Sequence, residues 1–168
     1  MNLIENSKSN YTNILHLGEE LLNEGFELQI TLGGYSMSPY LRNGETVIIK
    51  KESFNSLKIG DIIVFRSINK MIAHRIIAIR NINQHKTLIT KGDSLIYFDK
   101  TITEERYIGK IKEFYRKNKS IKIDTPWCSV FNKLMSFISV ISIPFLIILI
   151  PITLSSHFIK THLLFFTK

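Results

Sequence analysis

The chain has 168 residues, of which 45% are hydrophobic and 21% charged. This length and composition suit one globular domain of ordinary size and exclude a disordered or collagen-like polypeptide. The single cysteine, Cys128, excludes a disulfide framework and a cysteine-rich zinc site. The net charge of +8 is uneven, because residues 1–109 carry 13 Lys and Arg against 12 Asp and Glu, whereas residues 110–168 carry 9 against 2. A uniformly basic nucleic-acid-binding protein is therefore not predicted.

Residues 1–25 predict a short amphipathic helix at the N-terminus. Between residues 12 and 24 the apolar positions recur at spacings of three and four, and Gly25 is a suitable C-terminal cap. The apolar positions are Ile14, Leu17, Leu21 and Leu22. The first ten residues lack the apolar stretch of a secretory signal. We expect this helix to pack against the rest of the domain rather than to carry a function.

Residues 26–115 predict a β-rich domain. Apolar and polar residues alternate from Phe26 to Leu32, and turn residues such as Gly33-Gly34 separate this segment from later β-branched runs. Those runs are Thr46–Ile49, Asp61–Phe65, Met71–Ile79, Thr87–Thr90 and Tyr107–Ile111. Many short strands without intervening helices indicate a small antiparallel fold, a compact barrel or sandwich. The expected fold class is therefore mainly β.

The C-terminal third predicts attachment to a membrane. Residues 116–133 form a basic stretch that we interpret as a juxtamembrane linker, able to contact anionic lipid headgroups. Residues 134–154 carry no formal charge, and as a helix they would extend roughly 31 Å, close to the ~30 Å hydrocarbon core of a bilayer. We expect a single transmembrane helix over 134–154 and an interfacial tail over 155–168.

Charge also predicts on which side of the membrane the β domain lies. Seven Lys and Arg residues lie from Lys110 to Lys133, and only two follow the apolar segment. This excess favours a β domain in the cytoplasm, as does the lack of an apolar N-terminal signal. An outward-facing domain is the alternative.

A serine in a glycine-rich turn is the first candidate for chemistry. Ser36 follows Gly33-Gly34 and precedes Pro39 in the segment GGYSMSPYLRNG. A turn between two strands would expose its hydroxyl, and nearby backbone amides could stabilise an oxyanion. Such a serine is most often only a turn former, so the interpretation depends on its partners.

A histidine and two aspartates could complete a set of nucleophile, base and orienting carboxylate. His74 lies in the otherwise apolar strand KMIAHRIIAIR, and histidine is the side chain that serves most readily as a base near neutral pH. Asp93 and Asp99 follow in TKGDSLIYFDK, and either carboxylate could orient the imidazole. The order along the chain is Ser, His, Asp.

Taken together, five short segments resemble the type I signal peptidase family. They follow the family's order and approximate spacing over residues 30–112, and they are GYSMSPYLRNGETVII, GDIIVFR, AHRIIAIR, TKGDSLIYFD and YIGKI. The resemblance implies a small β-rich catalytic core and serine-protease chemistry. His74 stands where the archaeal and endoplasmic-reticulum branch has histidine and where the bacterial branch has lysine.

The resemblance implies roles for particular residues of this chain. Ser36 would be the nucleophile, His74 the general base, and Asp99, or else Asp93, the carboxylate that orients the base. Support for the nucleophile and the oxyanion would come from Met37, Gly34 and Ser38. No metal or organic cofactor is implied. The expected partners are a peptide or preprotein substrate and the lipid bilayer, without nucleic acid.

Three features differ from the family pattern. Gly34 stands where some members have a serine that assists the oxyanion hole, and Ser94 replaces the asparagine that normally follows the Gly-Asp pair. The membrane anchor is expected after the catalytic domain, whereas most members carry it before the nucleophile. These departures bear on the substrate and on the catalytic competence of the chain.

The sequence leaves two alternatives to the leading expectation of a membrane-anchored serine endopeptidase that cleaves signal or leader peptides. Lys70 shares the strand face of His74, because positions 70, 72 and 74 have the same parity, so a Ser/Lys peptidase similar to the LexA-type modules is the first. The second is a membrane-tethered peptide-binding module of the same fold without turnover. Ser94 and Gly34 favour this second alternative.

Overall fold

The structure is a computed structural model, and it describes residues 2–68, 70–123, 125, 128, 130–138 and 140. Its elements in chain order are α1 (Asn2–Asn23), β1 (Glu27–Thr31), β2 (Thr46–Lys50), β3 (Ile62–Ser67), β4 (Lys70–Ile82), β5 (His85–Lys91), β6 (Tyr107–Arg116) and β7 (Lys119–Lys122). Single 3-10 turns precede β3 and β6, at Phe54–Ser56 and Glu104–Arg106. The described residues between 130 and 138 are helical.

The seven strands of the described residues form one antiparallel sheet. Its order is β1-β2-β6-β3-β4-β5, with β7 paired to β6. The prediction of a mainly β fold is therefore confirmed. β4 is the longest strand, with 13 residues, and it carries both His74 and Arg75 at its centre. The sheet thus places the histidine between two neighbouring strands, β3 and β5.

The centre of the sheet is buried on both faces. In β3 the four consecutive residues 62–65 are buried, and their side chains alternate between the faces. Ile62 and Val64 belong to one hydrophobic cluster, together with Met37 from the connection between β1 and β2. Ile63 and Phe65 belong to a second cluster. These two clusters hold the segments that surround the candidate site.

Helix α1 packs on the sheet through only the C-terminal part of the predicted apolar face. Leu22 is buried, whereas Ile14 and Leu17 are 66% and 56% exposed, so their predicted packing is wrong. Glu19 of the helix forms an ion pair with Arg66 of β3. The helix ends as predicted at Gly25, whose φ is +94°. The amide of Gly25 bonds to the Leu22 carbonyl and the next amide to the Leu21 carbonyl, which is the Schellman arrangement.

The segment 116–133, expected as a linker, contains ordered elements. β6 continues to Arg116, and a two-residue turn with positive φ at Lys117 and Asn118 leads into β7. Such a turn matches the right-handed twist of a hairpin. Ile121 packs against the first hydrophobic cluster, in which Ile123 is buried. The basic side chains that suggested a linker therefore occupy a hairpin that belongs to the β domain.

The predicted transmembrane segment 134–154 lies mostly outside the described residues, as does the whole tail 155–168. Among the helices that the structure does describe, none is both long enough and apolar enough to cross a bilayer. The predicted anchor and the side on which the domain lies therefore stay predictions.

Candidate active site

The connection between β1 and β2 holds Ser36 in a compact turn. Gly34 has a φ of +101°, a conformation that side-chain-bearing residues rarely adopt, and its amide donates to Asn43 Oδ1 at 2.9 Å. The Ser38 amide donates to the Tyr35 carbonyl at 3.0 Å. Met37 is buried in the first hydrophobic cluster. The turn is thus fixed on both sides of Ser36 while the serine itself stays half-buried.

The far end of this connection is anchored by Glu45. Its carboxylate accepts from both Arg116 and the Arg42 amide, with Arg116 Nη2 at 3.0 Å and the amide at 2.9 Å. Arg116 Nη2 also donates to the Tyr40 carbonyl at 2.7 Å. Burial acts to raise the pKa of Glu45, but the hydrogen bonds from Arg116 and Arg42 outweigh it and lower that pKa. One carboxylate therefore ties the connection to β6.

Ser36 lines a groove of about 620 Å³, called the Ser36 groove below. Its lining residues come from α1, β1, the β1–β2 connection, β3, β4 and the loop after β5, and they include Gly34, Ser36, Met37, Lys70, His74 and Asp99. Among the described residues, neither the amide nor the hydroxyl of Ser36 makes a hydrogen bond. The Gly34 amide, by contrast, is already occupied by Asn43. The Ser36 amide is therefore the better placed of the two to meet an oxyanion.

His74 contacts Asp99 directly. The distance between His74 Nδ1 and Asp99 Oδ2 is 2.6 Å, and the histidine side chain is 5% exposed. Because a carboxylate accepts hydrogen bonds, Nδ1 is the donor in this contact, and in a neutral imidazole the lone pair is then on Nε2. This is the tautomer that a general base requires. The edge contact with the Phe65 ring, 6.1 Å between ring centroids, holds the imidazole from the side.

Asp99 is itself positioned by β5. Thr90 Oγ1 donates to Asp99 Oδ2 at 2.8 Å, and the Asp99 amide donates to the Thr90 carbonyl at 2.9 Å. The same carboxylate oxygen therefore receives two donors, from the imidazole and from the threonine hydroxyl. Charge-assisted hydrogen bonds of this kind are shorter and stronger than neutral ones. The geometry orients the imidazole through Asp99.

Asp93, the alternative orienting carboxylate, pairs with Arg75 instead. Arg75 Nε and Nη2 donate to its two oxygens at 2.8 and 2.7 Å, a bidentate arrangement in which the side chains are 0% and 1% exposed. Arg75 Nη1 donates to the Gly60 carbonyl and to Asn132 Oδ1. The Tyr40 ring lies over the guanidinium, 4.6 Å from centroid to Cζ. Asp93 therefore belongs to a buried ion pair next to the groove.

The loop after β5 also grips the Ser36 turn. The Ser94 amide donates to the Ser36 carbonyl at 3.0 Å, and the Ser94 hydroxyl donates to the Tyr35 carbonyl at 2.8 Å. At Gly92 a Cβ atom would lie 2.6 Å from the Ser36 carbonyl oxygen, so only glycine allows this close approach. Ser94, which departs from the family pattern, thus still holds the backbone of the candidate nucleophile.

Lys70 lines the same groove as Ser36 and His74. It begins β4, opposite Ser67, and is exposed. The structure therefore brings both candidate bases to the groove. Of the two, His74 is the one whose side chain contacts a carboxylate of the described residues, that of Asp99. In the part of the chain that the structure describes, no three His, Cys, Asp or Glu side chains come together as a metal site.

Sequence reasoning missed several residues that build this site. Thr90 belongs to the β-branched run Thr87–Thr90, in which its hydroxyl is a weak local signal. Asn132 lies in the segment that suggested a linker, and Glu45 and Arg116 are 71 positions apart. Only a polar residue at an otherwise buried position, as at Thr90, could have been noticed in advance.

Comparison with known proteins adds no assignment to the site. No protein-family model matches the sequence, and a search of the curated proteins finds no significant match.

Proposed function

We propose that the protein is a serine endopeptidase, anchored in the membrane by residues 134–154 and similar to type I signal peptidases. Ser36 attacks the scissile carbonyl, and His74 Nε2 takes its proton as general base. Asp99 orients the imidazole and stabilises the imidazolium that forms. The Ser36 amide donates to the developing oxyanion, and the C–N bond breaks as His74 passes the proton to the leaving amine. Water, deprotonated by His74, then hydrolyses the acyl-enzyme and restores the Ser36 hydroxyl.

The observation that carries the proposal is the 2.6 Å contact between His74 and Asp99 on the wall of the Ser36 groove. A buried histidine with a carboxylate on Nδ1 has its other nitrogen available for proton transfer. A serine with a free hydroxyl on the same groove supplies the group that needs such a base. A merely structural histidine would not need to share a groove with this serine.

The proposed substrate is a peptide in extended conformation. Among the strands that the structure describes, β1 pairs with β2 alone, and Ile30, Thr31 and Leu32 from its end line the Ser36 groove. An extended peptide can add to such an edge through backbone hydrogen bonds, which would bring its carbonyls past Ser36. A signal or leader peptide would bind in this way.

We further propose that the catalytic domain faces the cytoplasm. The basis is the excess of Lys and Arg on the N-terminal flank of the apolar segment. The substrate would then be a cytoplasmic or membrane-emerging leader peptide rather than a translocated preprotein. Protease treatment of sealed spheroplasts tests this, because digestion of the 1–110 region from outside would show that the domain faces outward.

The central experiment is cleavage of a panel of extended peptides by the full chain in detergent, with Ser36→Ala as the matched variant. We expect cleavage by the wild type and none by Ser36→Ala, with unchanged circular dichroism, because a half-buried turn serine adds little to stability. Labelling by a fluorophosphonate, which reacts with activated serines, should likewise depend on Ser36. Equal cleavage by both proteins would refute the assignment of the nucleophile.

A second candidate is a Ser/Lys peptidase, favoured by the position of Lys70 on the same groove. The two bases are separated by His74→Ala, which we expect to be inactive, and Lys70→Ala, which we expect to be active. The reverse pattern of the two variants would assign the base to Lys70.

A third candidate is a peptide-binding module without turnover. The observation that favours it is that Ser36 makes no hydrogen bond to His74. Hydrogen bonds between catalytic groups are often long before substrate binds, so the lack of a hydrogen bond between Ser36 and His74 does not by itself remove activity. Peptides that bind to the wild type and to Ser36→Ala with equal affinity, without cleavage, would establish this candidate.

A further inference from the structure

The helix that includes residues 130–138 is seated on the β domain by polar side chains. Asn132 and Ser136 are only 4% and 3% exposed. Ser136 Oγ lies 3.0 Å from the Asn132 carbonyl oxygen and 3.4 Å from that of Ile76 in β4. At Gly60 a Cβ atom would come within 3.0 Å of the Asn132 backbone. The helix therefore packs closely on the loop before β3 and on the centre of β4.

Asn132 completes the hydrogen bonding of Arg75. Its Oδ1 accepts from Arg75 Nη1 at 2.9 Å, and the same nitrogen donates to the Gly60 carbonyl at 3.1 Å. The other donors of the guanidinium, Nε and Nη2, go to Asp93. The fixed fork of the guanidinium makes these bonds interdependent, since rotation to improve one weakens the others. The side chain of Asn132 therefore sets the orientation of the Arg75–Asp93 pair.

That ion pair connects to the candidate catalytic groups on both of its sides. Arg75 is the direct neighbour of His74 in β4. Asp93 lies between Gly92, which allows the approach of the Ser36 carbonyl, and Ser94, whose amide donates to that carbonyl. The bonds between Arg75 and Asp93 therefore connect the guanidinium to the loop that contacts the Ser36 turn.

From these contacts we propose that Asn132 is a positioning residue for the Ser36 site, acting through Arg75 and Asp93 from a helix that does not line the Ser36 groove. This inference rests on the proposed function, because its effect on turnover requires that the site is catalytic. A well-packed apolar side chain at this position would seat a helix without the cost of burying an amide. The side-chain amide of Asn132 is explained by Arg75 Nη1, whose hydrogen bond its oxygen accepts.

Ser136 provides a matched control for this role. It is buried on the same helix, one turn further along, and it contacts the β4 backbone without contacting Arg75. Loss of its hydroxyl weakens the packing of the helix on β4 while leaving the hydrogen bond between Asn132 and Arg75 in place. A purely structural role of the helix predicts similar effects of changes at the two positions, whereas a positioning role predicts different ones.

The test compares Asn132→Leu, Asn132→Asp and Ser136→Ala in the full chain in detergent, with peptide cleavage as the readout. We expect Asn132→Leu to lower kcat about tenfold with KM within about twofold, because misplacing catalytic groups by a fraction of an ångström costs on this scale. Asn132→Asp keeps an acceptor for Arg75 and should stay within about threefold of the wild type. Ser136→Ala should likewise keep a kcat within about threefold of the wild type. If Asn132→Leu does not fold, Asn132→Ala takes its place.

A second measurement separates failure of this inference from failure of the proposed function. The backbone amide signals of Ser36 and Ser94 in 15N NMR spectra should shift in Asn132→Leu and stay in place in Ser136→Ala, whether or not any peptide is cleaved. Unchanged signals, or a loss of kcat in Ser136→Ala equal to that in Asn132→Leu, would overturn the positioning role. Absence of cleavage by the wild type, with the NMR shifts present, would refute the peptidase and leave the coupling standing.

Discussion

The two aspartates of the loop after β5 should differ sharply in what their loss does to the protein. Asp93 and Asp99 are six positions apart, and both follow β5. Asp93 is buried against Arg75, whereas Asp99 is 15% exposed beside His74. We predict that Asp93→Asn mainly lowers stability and that Asp99→Asn mainly lowers activity.

The size of the first effect follows from burial. In Asp93→Asn the guanidinium of Arg75, with a side-chain exposure of 0%, loses its counter-charge and one of two hydrogen bonds at 2.7–2.8 Å. Removing one partner of a buried pair costs about 3–5 kcal/mol, since the other charge stays buried without compensation. Whole domains are stable by only about 5–15 kcal/mol. The variant should therefore lose a large fraction of its free energy of unfolding.

Asp99→Asn should behave differently. The amide oxygen can still accept from Thr90 or from His74, so we expect a loss of only about 1 kcal/mol in stability. The charge that would stabilise the imidazolium of the proposed mechanism is lost, however. Two unit charges about 4 Å apart interact by about 4 kcal/mol at an effective dielectric constant near 20, which corresponds to about a thousandfold in kcat.

The assay is urea unfolding of the full chain in a mild non-ionic detergent, followed by far-ultraviolet circular dichroism. With an m value of about 1–3 kcal/mol/M, Asp93→Asn should lower the midpoint by roughly 2 M, and Asp99→Asn by well under 1 M. Peptide cleavage is measured in parallel below the unfolding range of each variant. A loss below about 1 kcal/mol in Asp93→Asn, or one no larger than in Asp99→Asn, would refute the argument from burial.

Two further predictions concern the connection that carries Ser36. Gly92→Ala should lower stability by about 1–3 kcal/mol and slow fluorophosphonate labelling of Ser36, because the added Cβ atom would lie 2.6 Å from the Ser36 carbonyl oxygen. Gly33→Ala is the control. It has open space around its Cβ atom and should have neither effect. Equal thermal unfolding of the two variants would contradict this. Burial acts to raise the pKa of Glu45, but the bonds from Arg116 lower that pKa in the folded state below its ordinary 4.5. The ionised carboxylate therefore contributes stability above pH 4.5, and this contribution is lost as the pH falls through the folded-state pKa. Glu45→Gln should therefore be less stable by about 1–2 kcal/mol near neutral pH, with the difference shrinking on acidification; a pH-independent difference would show that ionisation has no part in it.

The strands were predictable from the sequence because their signal is local. Runs such as Asp61–Phe65 combine β-branched residues with flanking turn residues, and the pairing of β3 with β4 and β6 buries them. The face that α1 turns to the sheet was not predictable. Its apolar residues occupy more than one side, and no local pattern distinguishes Leu22, which is buried, from Ile14, which is exposed.

The candidate site was predictable as a set of residue types, but its pairings were not. Asp93 and Asp99 have equal claims from spacing alone, because both lie close beyond the end of β5. The hydrogen bond from the Asp99 amide to Thr90 folds the loop back onto β5, and this brings one carboxylate to His74. Asn132 was missed for a related reason. Its partner Arg75 is 57 positions earlier in the chain, and no local pattern relates the two.

The alternation of side chains along β4 explains why His74 and Arg75 contact two different carboxylates of the loop after β5. Successive side chains of a strand point to opposite faces, so His74 turns to Phe65 and Asp99, while Arg75 turns to Tyr40, Asp93 and the C-terminal helix. The imidazole can then move a proton beside the groove, while the guanidinium pairs with Asp93 in a buried position. A substitution at Arg75 should therefore disturb His74 through the backbone of β4 and disturb Ser36 through the loop after β5. The proposed base and the structural cation are therefore neighbours in sequence that lie on opposite faces of one strand.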